Sequence, residues 1–404
     1  MIEPESPEAG QGLDEAAGTS GPSDQPYWPK SWEIAFVQDC NLRCGYCCTG
    51  YGRNHQEAAV MQSDTWGSLV DLIVNMSAGQ QQIDVHFSTG ETFLYFDQAM
   101  AFLDRLRGRA AERNIALDTQ IITNGTIATE DQLRTCLKKR ISLCFSIDGP
   151  ESRHDRFRRT SKGEATHQLA LENWRKYREI VSSVPDGPGC DLYSVIAGES
   201  RLREVAAFWR EQGAKRFKAL PVEPNKMLCR LDTSGWQTRR SVFLADLEQL
   251  AFSESLCLRG RSLSEGACVP AALRDTWLQL ERADTYGPCG AGYTTIGVDA
   301  SGNLYPCTGF AGFSEHIIGN VTSGVAPARV AAFRAARTNA QSRCGGCWAR
   351  FLCCDGCCAS DPKAGVVLDA WGECEFFKSF AEIAIRTFQN WRDGLPPKAM
   401  QESE

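Results

Sequence analysis

Histidine is scarce in this 404-residue sequence, with 5 His against 19 Cys. Catalytic zinc sites are built largely from imidazoles, so the shortage argues against a His-based metal centre. Positive charge is also short. The formal net charge is -7, which argues against a nucleic-acid binder that works through a globally basic face. No apolar run approaches the roughly 18 residues of a membrane span. The start, Met1-Ile2-Glu3-Pro4-Glu5-Ser6-Pro7-Glu8, has neither a basic opening nor an apolar segment and does not read as a signal peptide. A cytoplasmic protein with reduced thiols is the expectation, with no membrane and no nucleic acid among its partners. The apolar fraction, 43%, is ample for a packed core, and the length fits two or three domains. The open question is what holds the thiols.

Residues 1–30 read as a disordered tail, acidic and free of Lys and Arg up to about residue 26. From 31 to 224 strand and helix patterns alternate. Trp32–Val37, Ile83–Phe87, Thr119–Thr123, Ile141–Ile147, Leu192–Ile196 and Arg216–Leu220 read as strands, with amphipathic helical stretches between them. Such alternation predicts an α/β fold with a parallel sheet wrapped by helices and functional groups at the strand C-terminal ends. Six units are fewer than a closed eight-unit barrel, so an open, partial (β/α)6 barrel is expected. Residues 225–285 break the pattern and read as a helical insertion, with helices at 236–252 and 270–284. Residues 286–374 are rich in Gly and Cys and poor in long periodic elements, with a hairpin around Asp299-Ala300-Ser301-Gly302. Residues 375–404 read as a closing helix and tail.

Cys40, Cys44 and Cys47 are spaced C-x3-C-x2-C on the loop after the first strand. Thiolate is the natural ligand of an iron–sulfur cubane, and three thiolates leave one iron open. A zinc knuckle completed by His55 or Cys48 is the alternative that spacing alone leaves standing. The run Cys40-Asn41-Leu42-Arg43-Cys44-Gly45-Tyr46-Cys47 closely resembles the signature of the radical S-adenosylmethionine (SAM) enzymes. That resemblance implies a 4Fe–4S cluster on the three cysteines, with S-adenosyl-L-methionine on the fourth iron. Its cleavage gives a 5′-deoxyadenosyl radical that abstracts a hydrogen atom, on an electron from a donor such as flavodoxin or ferredoxin. Tyr46 matches the aromatic that packs near adenine. Thr89-Gly90-Glu91-Thr92 is similar to the family's Gly-Gly-Glu-Pro motif, which binds the SAM amino group, and Gly90 and Glu91 carry over. Ser146-Ile147-Asp148-Gly149 and Thr123-Asn124-Gly125 resemble strand ends that meet SAM, which makes Asn124, Ser146 and Asp148 candidates. Arg158 or Arg159 is a candidate partner of the SAM carboxylate.

Further on, Cys289 is followed by twelve residues, Gly302, four residues and Cys307. Then come Cys344-x2-Cys347-x5-Cys353-x3-Cys357 and, after a gap, Cys374. These intervals look like the SPASM domain, which carries auxiliary iron–sulfur clusters in peptide-modifying radical SAM enzymes. The resemblance implies auxiliary cluster II on Cys344, Cys347, Cys353 and Cys374. It implies auxiliary cluster I on Cys289, Cys307 and Cys357, making three 4Fe–4S clusters in all. Relatives with a fully ligated cluster I have one more cysteine just before the Cys289 position, which residues 283–288 lack. Either Cys268 reaches in or cluster I keeps an open iron. Cys48, Cys354 and Cys358 are spare thiols in this reading. Cys136, Cys144, Cys190, Cys229 and Cys257 read as reduced, partly buried apolar side chains. A pair of zinc ribbons is the alternative, and with it a redox-inert structural metalloprotein.

The two resemblances imply a peptide or protein substrate. Anaerobic sulfatase maturases, which oxidise Ser or Cys to formylglycine, carry a catalytic Asp after the second SPASM cysteine. Here that position is Thr308, and a hydroxyl is no base near neutral pH without an activating partner. The favoured expectation is therefore a carbon–carbon or thioether cross-link in a ribosomally made precursor peptide. About 30 residues precede the first strand, too few for the fused winged-helix leader-binding domain of many such enzymes, so a separate leader-binding protein is a possible partner. Asp148, Glu223 and Tyr305 are candidate polar groups near the substrate.

Overall fold

The computed structural model describes residues 27, 29–47, 59–214, 216–222, 235–258, 263, 269–282, 289–353, 356–359, 365–366 and 372–393. The expected acidic tail up to residue 26, together with Cys48, His55, Glu223, Cys229, Cys268 and Cys354, lies outside the described residues.

The sheet begins at β1 (Ser31–Ile34), which buries Trp32 and Ile34 on one face and sets Glu33 on the other. The chain then leaves the main sheet for a short ribbon, β2 (Val37–Gln38) with β3 (Ala59–Val60). The single strand expected over Trp32–Val37 is thus broken in two. The reason is a change of partners: the Ala35 amide donates to Val298 O in the main sheet (2.8 Å), whereas Phe36 O accepts from Met61 N in the ribbon (2.9 Å).

Helices and strands then alternate as the pattern predicts. In order they are α1 (Ser63–Met76), β4 (Gln82–Phe87), α2 (Phe96–Ala111), β5 (Ala116–Thr123), α3 (Glu130–Lys138), β6 (Ile141–Ser146), α4 (Glu151–Phe157), α5 (His167–Ser182), β7 (Cys190–Ile196), α6 (Leu202–Glu211) and β8 (Lys218–Pro221). Local chemistry fixes several ends. Thr129 and Gln132 form a reciprocal capping box at the start of α3. The expected strand over Arg216–Leu220 is displaced toward its C-terminus, ending at Pro221. Strands β1, β4, β5, β6, β7 and β8 lie side by side in that order, all parallel. This is the six-strand parallel sheet of the partial barrel. Trp32, Trp174 and Trp209 are among its largest fully buried side chains.

Next come α7 (Trp236–Cys257) and α8 (Ala271–Arg282), which starts just after Pro270. Cys257 is exposed rather than partly buried, because it ends α7. The cysteine-rich region supplies β9 (Thr295–Val298), β10 (Asn303–Tyr305), β11 (Gly319–Asn320), β12 (Gly324–Val325), α9 (Pro327–Ala340) and α10 (Arg350–Cys353), and α11 (Glu373–Asp393) closes the described chain. Strand β9 pairs parallel with the free side of β1, from Ser31↔Thr295 to Ile34↔Val298. The hairpin expected around Asp299–Gly302 turns the chain back into β10, and β11 and β12 continue antiparallel. Barrel and cysteine-rich region therefore share one ten-stranded sheet. Helix α11 packs on α7 and α8. Trp277 Nε1 donates to Ala384 O (3.1 Å), Trp391 Nε1 donates to Leu258 O (3.0 Å), and Phe243 meets Phe376.

The 14-residue α9 was not expected from a region read as poor in periodic elements. Its buried positions are Val330, Phe333, Arg334 and Arg337, the i, i+3, i+4, i+7 stripe of an amphipathic helix. Two of the four are arginines, which hides the apolar period; Pro327 at the first turn was the remaining signal. No described helix is long and apolar enough to cross a membrane.

Candidate functional site

The loop carrying Cys40, Cys44 and Cys47 leaves the C-terminal side of β1 and β2 and is stitched to the segment after α4. Arg43 N donates to Arg159 O (2.7 Å), Gly45 N donates to Phe157 O (2.9 Å), and Leu42 bridges Thr160. Within the loop, Leu42 N donates to Cys40 Sγ (3.4 Å) and Cys47 N to Cys44 O (3.1 Å). Leu42, Cys44 and Tyr46 form a small apolar cluster with Ala197 and Val222 from the ends of β7 and β8. Burial pushes the Cys40 thiol up to about 12, and the Glu91 carboxylate beside it adds to the shift. The protein field alone therefore keeps this thiol protonated near neutral pH. A bound metal would supply the positive charge that makes it a thiolate.

The loop after β4 comes within reach of the same cysteines. Gly90 has φ +66°, and a Cβ there would lie 2.0 Å from Val37 O and 2.7 Å from Asp39 O. Only glycine allows the two loops to approach so closely. Glu91 N donates to Asp39 O (2.8 Å). The Glu91 side chain is fully buried and accepts from Phe93 N (3.1 Å), Thr123 Oγ1 (2.9 Å) and Asn124 N (2.7 Å). Burial raises this carboxyl, and those three donors hold it down. A carboxylate has about four lone-pair sites, so one remains for a ligand. Asn124 Nδ2 donates to Asn41 Oδ1 (2.8 Å) and points at Cys40 Sγ (3.7 Å). Asn124 is thus a positioning residue of the cysteine loop. Ser88 Oγ, Thr89 Oγ1 and Thr92 Oγ1 are buried here without a hydrogen-bond partner. A run of orphaned buried hydroxyls beside a carboxylate suits a polar ligand that supplies the missing partners.

Tyr46, Asp148 and Arg158 are brought together, but on one another. The Tyr46 hydroxyl donates to Asp148 Oδ2 and accepts from Arg158 Nη1 (2.7 Å), and the guanidinium lies 5.8 Å from the Tyr46 ring centre. Asp148 Oδ1 accepts from Val195 N (3.0 Å). Burial raises the Asp148 carboxyl against the pull of Arg158. Burial would also lower the Arg158 guanidinium, but Tyr46, Cys44 and Asp148 outweigh it and keep it charged. Ser146 ends β6 beside this network, 8% exposed. His154, missed at the sequence level, sits beneath it. Its Nδ1 accepts from Asp148 N (3.3 Å) and its Nε2 meets Thr166 Oγ1 (3.1 Å). Burial, with the nearby Arg158 and His167, lowers its pKa to about 2, so it is neutral. Tyr305 does not face a substrate space: it is buried, with its hydroxyl donating to Asp299 Oδ2 (3.1 Å).

The later cysteines fall into two adjoining groups. Cys344, Cys347, Cys353, Cys357 and Cys374 line one cavity together with Arg343, Arg350 and Lys378. Cys289, Cys307 and Cys358 belong to an apolar cluster with Ala291, Phe310 and Phe333, against which Cys344 of the first group also packs. Behind that cluster Arg337 Nη1 donates to Ala291 O (2.7 Å) and Arg334 Nε to Gly292 O (2.8 Å). Thr308 is not left alone. Its amide (2.8 Å) and hydroxyl (2.5 Å) both donate to Glu33 Oε2 on β1, a carboxylate that the sequence reading missed. Among the described residues no three His, Cys, Asp or Glu side chains converge as a single-ion site. Cubane ligands bind separate irons, and all-thiolate donor sets of this kind suit them.

Comparison with known proteins gives the same direction. Residues 34–207 match the Radical SAM superfamily. The serine-type anaerobic sulfatase-maturating enzyme of Bacteroides thetaiotaomicron is 28% identical over 166 residues, which are 39% of this chain and 37% of that protein. The sporulation killing factor maturation protein SkfB of Bacillus subtilis is 21% identical over 319 residues, 75% of this chain and 74% of that protein. The chain thus spans well under half of the first relative and about three quarters of the second. Native anSMEcpe with bound AdoMet superposes with a TM-score of 0.70 at 18% identity, covering 91% of this chain and 100% of that one. Streptococcus suis SuiB bound to S-adenosylmethionine superposes at 0.54 and 16% identity, covering 82% and 74%. Residues 34–207, the partial barrel with its cysteine loop, are a radical SAM domain.

Proposed function

We propose that this chain is a radical SAM/SPASM maturase that installs a carbon–carbon or thioether cross-link in a ribosomally made precursor peptide. One observation carries the reading: β1 delivers the Cys40 loop and also pairs with β9, so the two cysteine regions are held in one sheet. When bound, the cluster on Cys40, Cys44 and Cys47 and its SAM supply a hydrogen-abstracting radical. Glu91 and the orphaned hydroxyls of Ser88, Thr89 and Thr92 bind and orient the SAM polar groups, and Asn124 holds the cysteine loop in position. Tyr46, Asp148 and Arg158 keep the loop fixed and its surroundings dry. A cavity lined by Ile196, Gly198, Arg201, Val222 and Phe243 adjoins the loop through Val222 and is the candidate approach for the substrate. Bond closure leaves one electron to be removed, which auxiliary clusters on the thiols of the cysteine-rich region would accept. Support for a peptide substrate comes from the neighbour anSMEcpe, also seen with AdoMet and the Cp18Cys peptide, and from SkfB, a maturation protein.

Glu33 favours a second reading. Its carboxylate occupies the neighbourhood of Thr308 and supplies the base that Thr308 lacks, as formylglycine formation would require. The test is anaerobic reaction of the reconstituted protein with SAM, a reductant and the peptides encoded beside it, read by tandem mass spectrometry. A fragment-resistant segment with no hydroxylamine-reactive aldehyde is expected. An aldehyde at a single Ser or Cys would replace the cross-link reading by the second one.

A further inference from the structure

Sequence spacing leaves the Cys289–Cys307–Cys357 group one thiol short and offers Cys268 or an open iron. The fold presents a different candidate. Cys358 is 1% exposed and lies in the same buried cluster as Cys289 and Cys307. The Cys289 and Cys358 thiols are within hydrogen-bonding contact of each other. Cys307 is close enough to feel both Cys289 and Cys357 electrostatically, and Cys358 feels Cys307. The chain passes close beside them: a Cβ on Gly309 would stand 2.8 Å from the Ala359 Cβ and 3.3 Å from Cys307 Sγ, so glycine is what lets the backbone lie against this thiol. The group also has counter-charge, because Arg337, 1% exposed, acts directly on Cys289 and Cys358. A cluster held by four thiolates is anionic, and a buried guanidinium offsets that charge.

We propose that Cys358 is the fourth protein ligand of auxiliary cluster I, closing it with Cys289, Cys307 and Cys357 so that no iron is open to substrate. The inference rests on the reading of this region as an auxiliary-cluster site. Its consequence is functional: a closed cluster passes electrons and does not bind a substrate thiolate, so cluster I acts as the electron acceptor of the reaction. No ligand from the 225–285 segment is then needed, and Cys268 is dispensable.

The test uses the full chain carrying Cys40→Ala, Cys44→Ala and Cys47→Ala, which removes the open iron of the radical site and leaves only auxiliary clusters. Adding Cys358→Ala should open one iron: labelled cyanide then couples to the reduced cluster in electron-nuclear double resonance, and mild oxidation gives a three-iron EPR signal with loss of about one iron per chain. Neither change is expected in the parent or with Cys268→Ala. Cys358→Ser keeps an oxygen ligand and should retain the iron with a shifted reduction potential, which separates lost ligation from lost folding. Cyanide binding by the parent, an effect of Cys268→Ala equal to that expected of Cys358→Ala, or identical spectra for Cys358→Ala and its parent would overturn the assignment. A parent without auxiliary iron would overturn the underlying reading as well.

Discussion

The two cysteine regions solve different physical problems. Around Cys40–Cys47 the neighbours are polar and partly unsatisfied: Glu91, Asn124, three orphaned hydroxyls and the Tyr46–Asp148–Arg158 chain. Around Cys289, Cys307 and Cys358 they are Ala291, Phe310 and Phe333, with two buried arginines behind. The first environment keeps hydrogen-bonding capacity in reserve, as a site that binds a polar cofactor and its substrate needs. The second has little reserve capacity and supplies fixed positive charge, as a site that only gains and loses electrons needs.

Breaking the first region should have the largest effect. Replacing Cys40, Cys44 and Cys47 together by Ala should reduce 5′-deoxyadenosine formation to background while auxiliary iron remains, as chromatography and iron analysis would show. Gly90→Ala forces a Cβ against Val37 O at a positive φ and should cost about 2–4 kcal/mol in denaturant unfolding. The second region is probed by Arg337→Met, which leaves Ala291 O without its donor. It should cost about 1–3 kcal/mol and lower the potential of the auxiliary cluster, leaving SAM cleavage unchanged; an unmoved potential would remove the counter-charge from the comparison. Tyr46→Phe breaks the Asp148–Tyr46–Arg158 chain and should cost about 1–3 kcal/mol, with weaker SAM binding in calorimetry.

The smallest effect is a pH slope. His154 is neutral in the fold, its pKa lowered to about 2 from the usual 6.5. The unfolded chain therefore binds a proton that the folded chain refuses. Its contribution to stability is complete above pH 6.5 and declines as pH falls from there toward 2. Urea midpoints should carry no His154 slope from about pH 7.5 to 6.5 and fall from about pH 6.5 to 5, and His154→Gln should flatten that fall.

Much of the barrel was legible because its strands and helices repeat with periods that a sheet and its covering helices impose. The Cys40 loop was legible from the whole run Cys40–Cys47, since spacing alone left a zinc knuckle standing. Tyr46, Asp148 and Arg158 were singled out as cofactor contacts, yet their polar atoms are engaged on one another, because burial leaves a charged group no cheaper partner than its nearest opposite. Helix α9 was hidden because Arg334 and Arg337 occupy apolar-stripe positions. Glu33 was invisible because its partner Thr308 is 275 residues away in the chain.

The sequence by itself determined the thiol chemistry, the alternating α/β order and the radical SAM signature. These depend on residue type and on short spacings, which local geometry turns directly into loops, strands and helices. Only the tertiary structure decided that β9 joins β1, that Glu33 reaches Thr308 and that Cys358 rather than a nearer neighbour meets Cys289. Those pairings cross tens to hundreds of residues, and long-range contacts are selected by packing and burial of the whole sheet, which no short window of sequence records.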